Sequence, residues 1–383
     1  MAGTTPTRNY DVIVLGLGAT GGATLYHLAK QGVRVLGLDR FAPPHNFGSS
    51  HGHTRIYRQA YYEAPEYVPL ALRAIDMWHE LERDTGRTLF ANTGALTIAP
   101  EDNPLFAGAL RSAREHGIAH DLMSLEETLR RFPAFNAPKD SVGLFEPAAG
   151  VLFADLCVQS HLELAKKAGA EMRLDEPALS VEQRSDGTVV VRTEKQTYEA
   201  GRVVVAAGAW GPRLLNIEHA FHITRETVHW FDIVSPAASA ANGCPVSLIA
   251  MEDGRMFYSI PDFGDGFKAG LHHSGRTGDA HLPPEVVGAR DAQTVAEAIA
   301  ICAPAAAGNL RASVPCFYTS TADQHFAVGA LPWSNNIVLA AACSGHGFKF
   351  APALGEAIAQ MARGENTSLP MAVFGVTRLG AQA

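Results

Sequence analysis

Residues 11–39 read DVIVLGLGATGGATLYHLAKQGVRVLGLD. The apolar run Asp11–Leu15 has strand length, a glycine turn follows, and Ala23–Lys30 carries helical spacing. Gly32 ends that helix, and Val33–Leu38 forms a second strand closing on Asp39. Such a β-α-β unit opens a parallel sheet. Within it, Gly16-Leu17-Gly18-Ala19-Thr20-Gly21 fits G-x-G-x-x-G, with an acid about 20 residues further on. Gly16 permits the tight turn, Gly18 lets backbone approach a pyrophosphate at the helix N-terminus, and Gly21 allows close helix–strand packing. Asp39 would accept ribose hydroxyls. The motif predicts a dinucleotide and does not separate NAD from FAD.

The 383-residue chain has length for two or three domains. Hydrophobic residues make up 47% and charged ones 18%, a balance unlike that of a disordered chain. Lys plus Arg (31) against Asp plus Glu (39) leaves −8, and no basic run is present, so neither nucleic acid nor an anionic membrane is an expected partner. No apolar stretch approaches the roughly 18 residues of a membrane span. The polar start MAGTTPTRNY shows no signal peptide, so a cytoplasmic protein is expected. The 5 Cys, without C-x-x-C spacing, suggest neither a disulfide framework nor a zinc site. His272-His273 and the His51/His53 pair lack a supporting acid cluster, so no metal is expected.

Further along, helices are expected over residues 65–85, Pro104–His116, Leu125–Phe132, Leu156–Ala168, Glu285–Ile301 and 348–362. Leu89–Ile98, Gly143–Phe153, Thr188–Arg192, Thr197–Glu199 and Val203–Ala207 read as short strands, and residues 228–270 as antiparallel ones. Val203–Trp210 (VVVAAGAW) ends a strand on small residues. Asn336–Lys349 (NIVLAAACSGHGFK) is a second strand–glycine–helix turn, able to aim a helix N-terminus at a redox ring. The expected fold is mixed α/β: a Rossmann-like domain from residues 1–88, 145–218 and 322–383, and a discontinuous substrate domain from 89–144 and 219–321 on a largely antiparallel sheet.

The blocks DVIVLGLGATGG, GSSHGHTRIYRQAYYEAPEYVPLALRA, LFEPAAGVLF, VVVAAGAW, VPCFYTSTADQHF and SGHGFKF span nearly the whole chain. In order and spacing they resemble the monomeric sarcosine oxidase and N-methyltryptophan oxidase family of flavin-dependent amine oxidases. The resemblance implies FAD, tethered through Cys316, with Arg40, Ser50, Ala178, Gly345 and Gly347 joining Gly16, Gly18, Gly21 and Asp39 around it. It implies that Arg58 and Lys349 hold a substrate carboxylate, and an Arg fork beside a Lys point charge suits that task. His51 and Arg55 match residues against the flavin, Lys268 the lysine proposed to activate oxygen, and His272, Tyr258 and Tyr318 the group around the amine.

Departures are also visible. The usual His-His-Gly-Asp is Ser50-His51-Gly52-His53, the segment after Tyr258 is one residue shorter than in the sarcosine enzymes, and Ala342-Cys343 replaces Gly-Phe. The expected activity is oxidation of a sarcosine-like secondary amine bearing a carboxylate, with O₂ as acceptor, by a monomer. A same-fold flavin dehydrogenase using another acceptor, or a non-catalytic flavin-binding subunit, stays open. Which amine is oxidised depends on side chains in 228–233, 251–259 and the loop at Tyr61–Glu63.

Overall fold

The computed structural model describes residues 9–282 and 286–380. The 11–39 stretch forms strand Asn9–Leu15, helix Ala19–Lys30 and strand Val35–Leu38. The helix starts at Ala19 rather than Ala23 because the glycine turn runs straight into it, with the Gly22 N–H donating to Gly18 O at 2.8 Å. The second strand starts at Val35 because the Val33 N–H still closes the helix end onto Leu28 O, 3.2 Å away. The polar chain start and Glu285 lie largely or wholly outside the described residues, and the helix expected from Glu285 is seen over Ala289–Cys302.

Asn9–Leu15 lies between Val35–Leu38 and Thr197–Val205 and runs parallel to both. Ser334–Ala341 adds in parallel to Thr197–Val205, and Glu171–Arg173 to Val35–Leu38. Antiparallel Val189–Arg192, Ser180–Gln183 and Ala327–Leu331 complete an 8-stranded sheet. Thr197–Val205 is one strand, not the expected two, because pairing with Asn9–Leu15 runs from Glu199 to Val205 and carries it past Gly201.

A 9-stranded sheet holds the middle of the chain. Its longest ladder pairs His222–Phe231 with Leu310–Ser320, while Val246–Ala250 runs parallel to Ala95–Pro100. The expected Leu89–Ile98 strand is cut into Phe90–Ala91 and Ala95–Pro100, which join different sheets. Gly143–Phe153 divides likewise into Ser141–Glu146 and Gly150–Phe153, the latter pairing with Thr54–Tyr57. Among the described residues no helix is long and apolar enough to cross a membrane.

Helices Ala19–Lys30, Ala154–Lys167 and Ala351–Arg363 share one core, in which Leu25, Leu28 and Leu354 are fully buried. Each such side chain stabilises the fold by roughly 1.5–3 kcal/mol. Gly355 is where Ala351–Arg363 meets the cofactor-side helix: a Cβ there would lie 2.6 Å from Ala23 Cβ. Gly355→Val should therefore cost about 1–3 kcal/mol by overpacking. Denaturant unfolding would read this as a lower midpoint, and an unchanged midpoint would mean that the two helices separate freely.

Candidate active site

Two joined cavities open at the carboxyl ends of the parallel strands, where α/β sheets take their ligands. One, of about 770 Å³, is lined by Gly16, Gly18, Asp39, Arg40, Ser50 and Ala178 among others. The other, of about 190 Å³, reaches Arg58, Lys268, Cys316, Tyr318 and Lys349. Gly18, Ser49, Ser50, Ala206 and Gly208 line both, so one elongated ligand can run from the first into the second. Gly21 lies on neither: it packs inside the fold against the Gly16 carbonyl, in keeping with a helix–strand packing role.

The residues present fit FAD. Gly16 has φ +87°, and a Cβ there would sit 2.6 Å from Ala206 O, so backbone forms that wall. The N-cap residue Gly18 of helix Ala19–Lys30 offers no side chain and the first turn holds no acid, which leaves the positive end of the helix available to a pyrophosphate. Asp39 accepts the Leu17 N–H (2.6 Å) and the Phe41 N–H (2.8 Å), which fixes its carboxylate and leaves lone pairs for ribose hydroxyls. Ser50 Oγ accepts the Ala19 N–H at 3.0 Å, tying the 49–55 loop to the glycine turn. In the smaller cavity, Ala340, Ala341, Ala342, Gly345 and Gly347 present backbone and methyl groups against which a planar ring can lie.

The structure brings the sequence-predicted cations together. Arg58 is 4% exposed, and its Nη2 donates to both oxygens of Glu63 at 2.9 and 2.8 Å while Nη1 donates to Ala60 O. Burial opposes the Arg58 charge, but Glu63 more than restores it; Glu63 in turn is held down at about 2. The guanidinium also lies 4.0 Å from the Tyr61 ring and 4.7 Å from that of Tyr62. Lys349 Nζ donates to His346 O (2.8 Å) and Tyr61 OH (3.2 Å). Burial first, then Arg58, pushes Lys349 down to about 7.

Lys268 is 2% exposed and donates to Gly52 O and Thr54 O, both at 2.7 Å, with its nitrogen 5.2 Å from the Trp230 ring centroid. Burial and then Arg55 hold it well below its ordinary value. Arg55 is anchored on Thr54 O and Ser49 O, 2.9 and 3.0 Å away. His51 lines neither cavity; it lies behind the loop with Nε2 3.0 Å from Gly48 O, lowered to about 3 by burial and by Arg55 and Lys268. His272 Nδ1 lies 3.2 Å from Tyr318 OH, and burial holds the imidazole neutral. Tyr258 lines the same cavity, and burial raises its hydroxyl. Cys316 is pushed up to about 11 by burial against the opposing charge of Arg55.

Three neighbours escaped the sequence reading as functional residues. Glu63 was seen only as part of a loop shaping the pocket, although an acid five residues after Arg58 is a weak pairing signal. Trp230 is the cross-strand partner of Lys268, visible only once strand register is known. Glu226 is the cross-strand partner of Cys316, 3% exposed, with Oε2 lacking a hydrogen-bond partner among the described residues. It stands among polar residues in His222–Phe231 and carries no signal of its own in the sequence.

Residues 11–361 match the family described as DAO, FAD dependent oxidoreductase. The chain is 37% identical over 380 residues to a monomeric sarcosine oxidase of Streptomyces avermitilis, covering 97% of this chain and 98% of that protein. It is 32% identical over 372 residues to an N-methyl-L-tryptophan oxidase of Yersinia pestis, with 97% and 99% covered. Among solved structures it shares the fold of NikD, an unusual amino acid oxidase essential for nikkomycin biosynthesis, at TM-score 0.84 and 22% identity over 96% of this chain and 98% of that one. An L-proline dehydrogenase from P. horikoshii matches at TM-score 0.82 and 20% identity, with 97% and 98% covered. A dinucleotide-binding glycine turn, a cavity continuous with it and relatives matched end to end lead to one assignment: the chain belongs to the DAO family of FAD-dependent oxidoreductases.

Proposed function

We propose that the protein is an oxidase of small secondary amines carrying a carboxylate, of the N-methyl or cyclic α-amino acid class. The observation that carries this reading is the convergence of Arg58, Lys349, Lys268 and Cys316 on one cavity continuous with the glycine-turn cleft. FAD, when bound, supplies a two-electron acceptor for the C–H bond beside nitrogen and returns the electrons to O₂ as H₂O₂.

The remaining work belongs to the chain's own residues. Arg58 and Lys349 take the substrate carboxylate, which competes with Glu63 for the Arg58 fork. The low-dielectric wall of Tyr258, Tyr318 and neutral His272 favours the uncharged amine, the form able to lose hydride. His272 and Tyr318, hydrogen-bonded to one another, orient the amine nitrogen. The imine product is then hydrolysed by water, releasing formaldehyde from an N-methyl substrate. Lys268, fixed on two carbonyls, offers its nitrogen to oxygen chemistry beside the ring. On this reading the 8-stranded sheet carries the cofactor, the 9-stranded sheet the substrate, and the protein works as a cytoplasmic monomer.

A screen of N-methyl and cyclic amino acids with air as sole oxidant should release H₂O₂ with at least one of them; oxidation only with an artificial electron acceptor would favour the dehydrogenase instead. A thioether from Cys316 to the flavin's 8α carbon would leave acid-precipitated protein yellow, and Cys316→Ser would release the colour to the supernatant. Free flavin from the unmutated protein would sink the tether. Lys268→Met should leave anaerobic flavin reduction largely intact and slow reoxidation by roughly tenfold or more, as expected for loss of a charge-stabilising group. Equal losses in the two half-reactions would remove Lys268 from oxygen chemistry.

Lys349 also sets a pH dependence. Its protonated form binds an anion, and that form is present below its value of about 7 and lost above it. The affinity of a simple carboxylate such as acetate should therefore fall as pH rises from 6 to 9, followed by flavin absorbance. Lys349→Met should bind more weakly at pH 6 and flatten the profile. A slope that survives the substitution would assign the titration to another group.

A further inference from the structure

We propose that Tyr62 is the gate that sets substrate size, admitting amino acids with small or no α-substituents and excluding large ones; this rests on the carboxylate-binding reading of Arg58. The argument begins with volume. The cavity holding Arg58 and Lys349 measures about 190 Å³, small beside the roughly 300–1,000 Å³ of ordinary small-molecule pockets, and a flavin ring lying on Ala340–Ala342 would share that space with the substrate. Much of its wall is strand or glycine turn, including Val228, Leu248 and Tyr258, which sheet hydrogen bonds hold in place. Tyr62 lines it from a segment belonging to no strand or helix.

Its placement is specific. The Tyr62 ring centre lies 4.7 Å from the Arg58 guanidinium, and its hydroxyl sits against Glu63. A carboxylate held on that guanidinium carries its α-carbon one bond away, so the α-substituent must pass close to the Tyr62 ring. Whether a wall excludes depends on whether it can yield, and this one is tied from outside. Ser112 Oγ donates to Tyr61 O at 2.5 Å, from helix Pro104–Glu115. One turn earlier on that helix, Gly108 packs directly against the Tyr62 backbone, where an added Cβ would run into Tyr62 O and come within 3.0 Å of its Cα. On the other side Tyr61 OH lies 2.8 Å from His346 Nδ1. A large substituent therefore cannot enter by moving the loop without breaking these ties.

The test uses the holoenzyme and size-graded carboxylates that need no turnover: acetate, phenylacetate and indole-3-acetate, titrated against flavin absorbance. Tyr62→Ala should tighten the two aromatic acids by roughly tenfold or more, the scale of burying a ring in newly opened space. Acetate should shift by less than about threefold, and Tyr62→Phe should keep the wild-type ratio. Gly108→Ala, whose added Cβ would press on the Tyr62 backbone from the helix side while every pocket residue keeps its identity, should move the ratio the opposite way by weakening the aromatic acids relative to acetate, and it replaces Tyr62→Ala should that variant fail to fold. Parallel changes for all three acids, or an unchanged ratio in both variants, would overturn the gate while leaving the carboxylate reading intact. Absence of any spectral response to carboxylates, wild type included, would overturn both together.

Discussion

The parallel pairing of Asn9–Leu15 with Thr197–Val205, and of that strand with Ser334–Ala341, is the constraint on which the site depends. Parallel neighbours end at the same edge, so the glycine turns after Leu15 and after Ala341 open on one side of the sheet although more than 300 residues separate them. The same edge receives the small residues after Val205, and Ala206 lines both cavities. Without that pairing the chain would hold two glycine turns facing different solvents.

Onto this frame the second sheet brings charge, and burial decides what the charge becomes. Arg58 keeps its charge because Glu63 lies bidentate on it inside the protein. Among the described residues Lys268 and Lys349 have no acid at hydrogen-bond distance, only carbonyls and a phenol, and desolvation pulls both down. Desolvation thus weakens the charge of the two lysines and leaves Arg58 as the firmly charged member of the cluster. The positive charge that remains beside the substrate favours its uncharged amine.

What was legible in the sequence was local. Gly16, Gly18, Gly21 and Asp39 announce their positions because a tight turn into a helix restricts backbone shape within a few residues. Element ends were misread where the stop signal is a hydrogen bond to a distant strand or a turn that switches sheets, as at Thr197–Val205 and Phe90–Pro100. Trp230 beside Lys268 and Glu226 beside Cys316 were invisible because antiparallel register, not sequence distance, makes them neighbours. Gly108 and Ser112 looked like ordinary helix residues until the helix was seen to rest on the Tyr61–Glu63 loop.

The sequence by itself determined the cofactor-side turn, which short-range spacing carries, and through its resemblance to a family it pointed to the set of basic and aromatic residues available for chemistry. Tertiary structure alone decided which of those cations keep a charge, which acid competes for Arg58, and how much room is left beside it. The physical reason is that desolvation and cavity volume belong to the packed assembly: both depend on what the rest of the chain places within a few ångströms, and no local spacing encodes that distance.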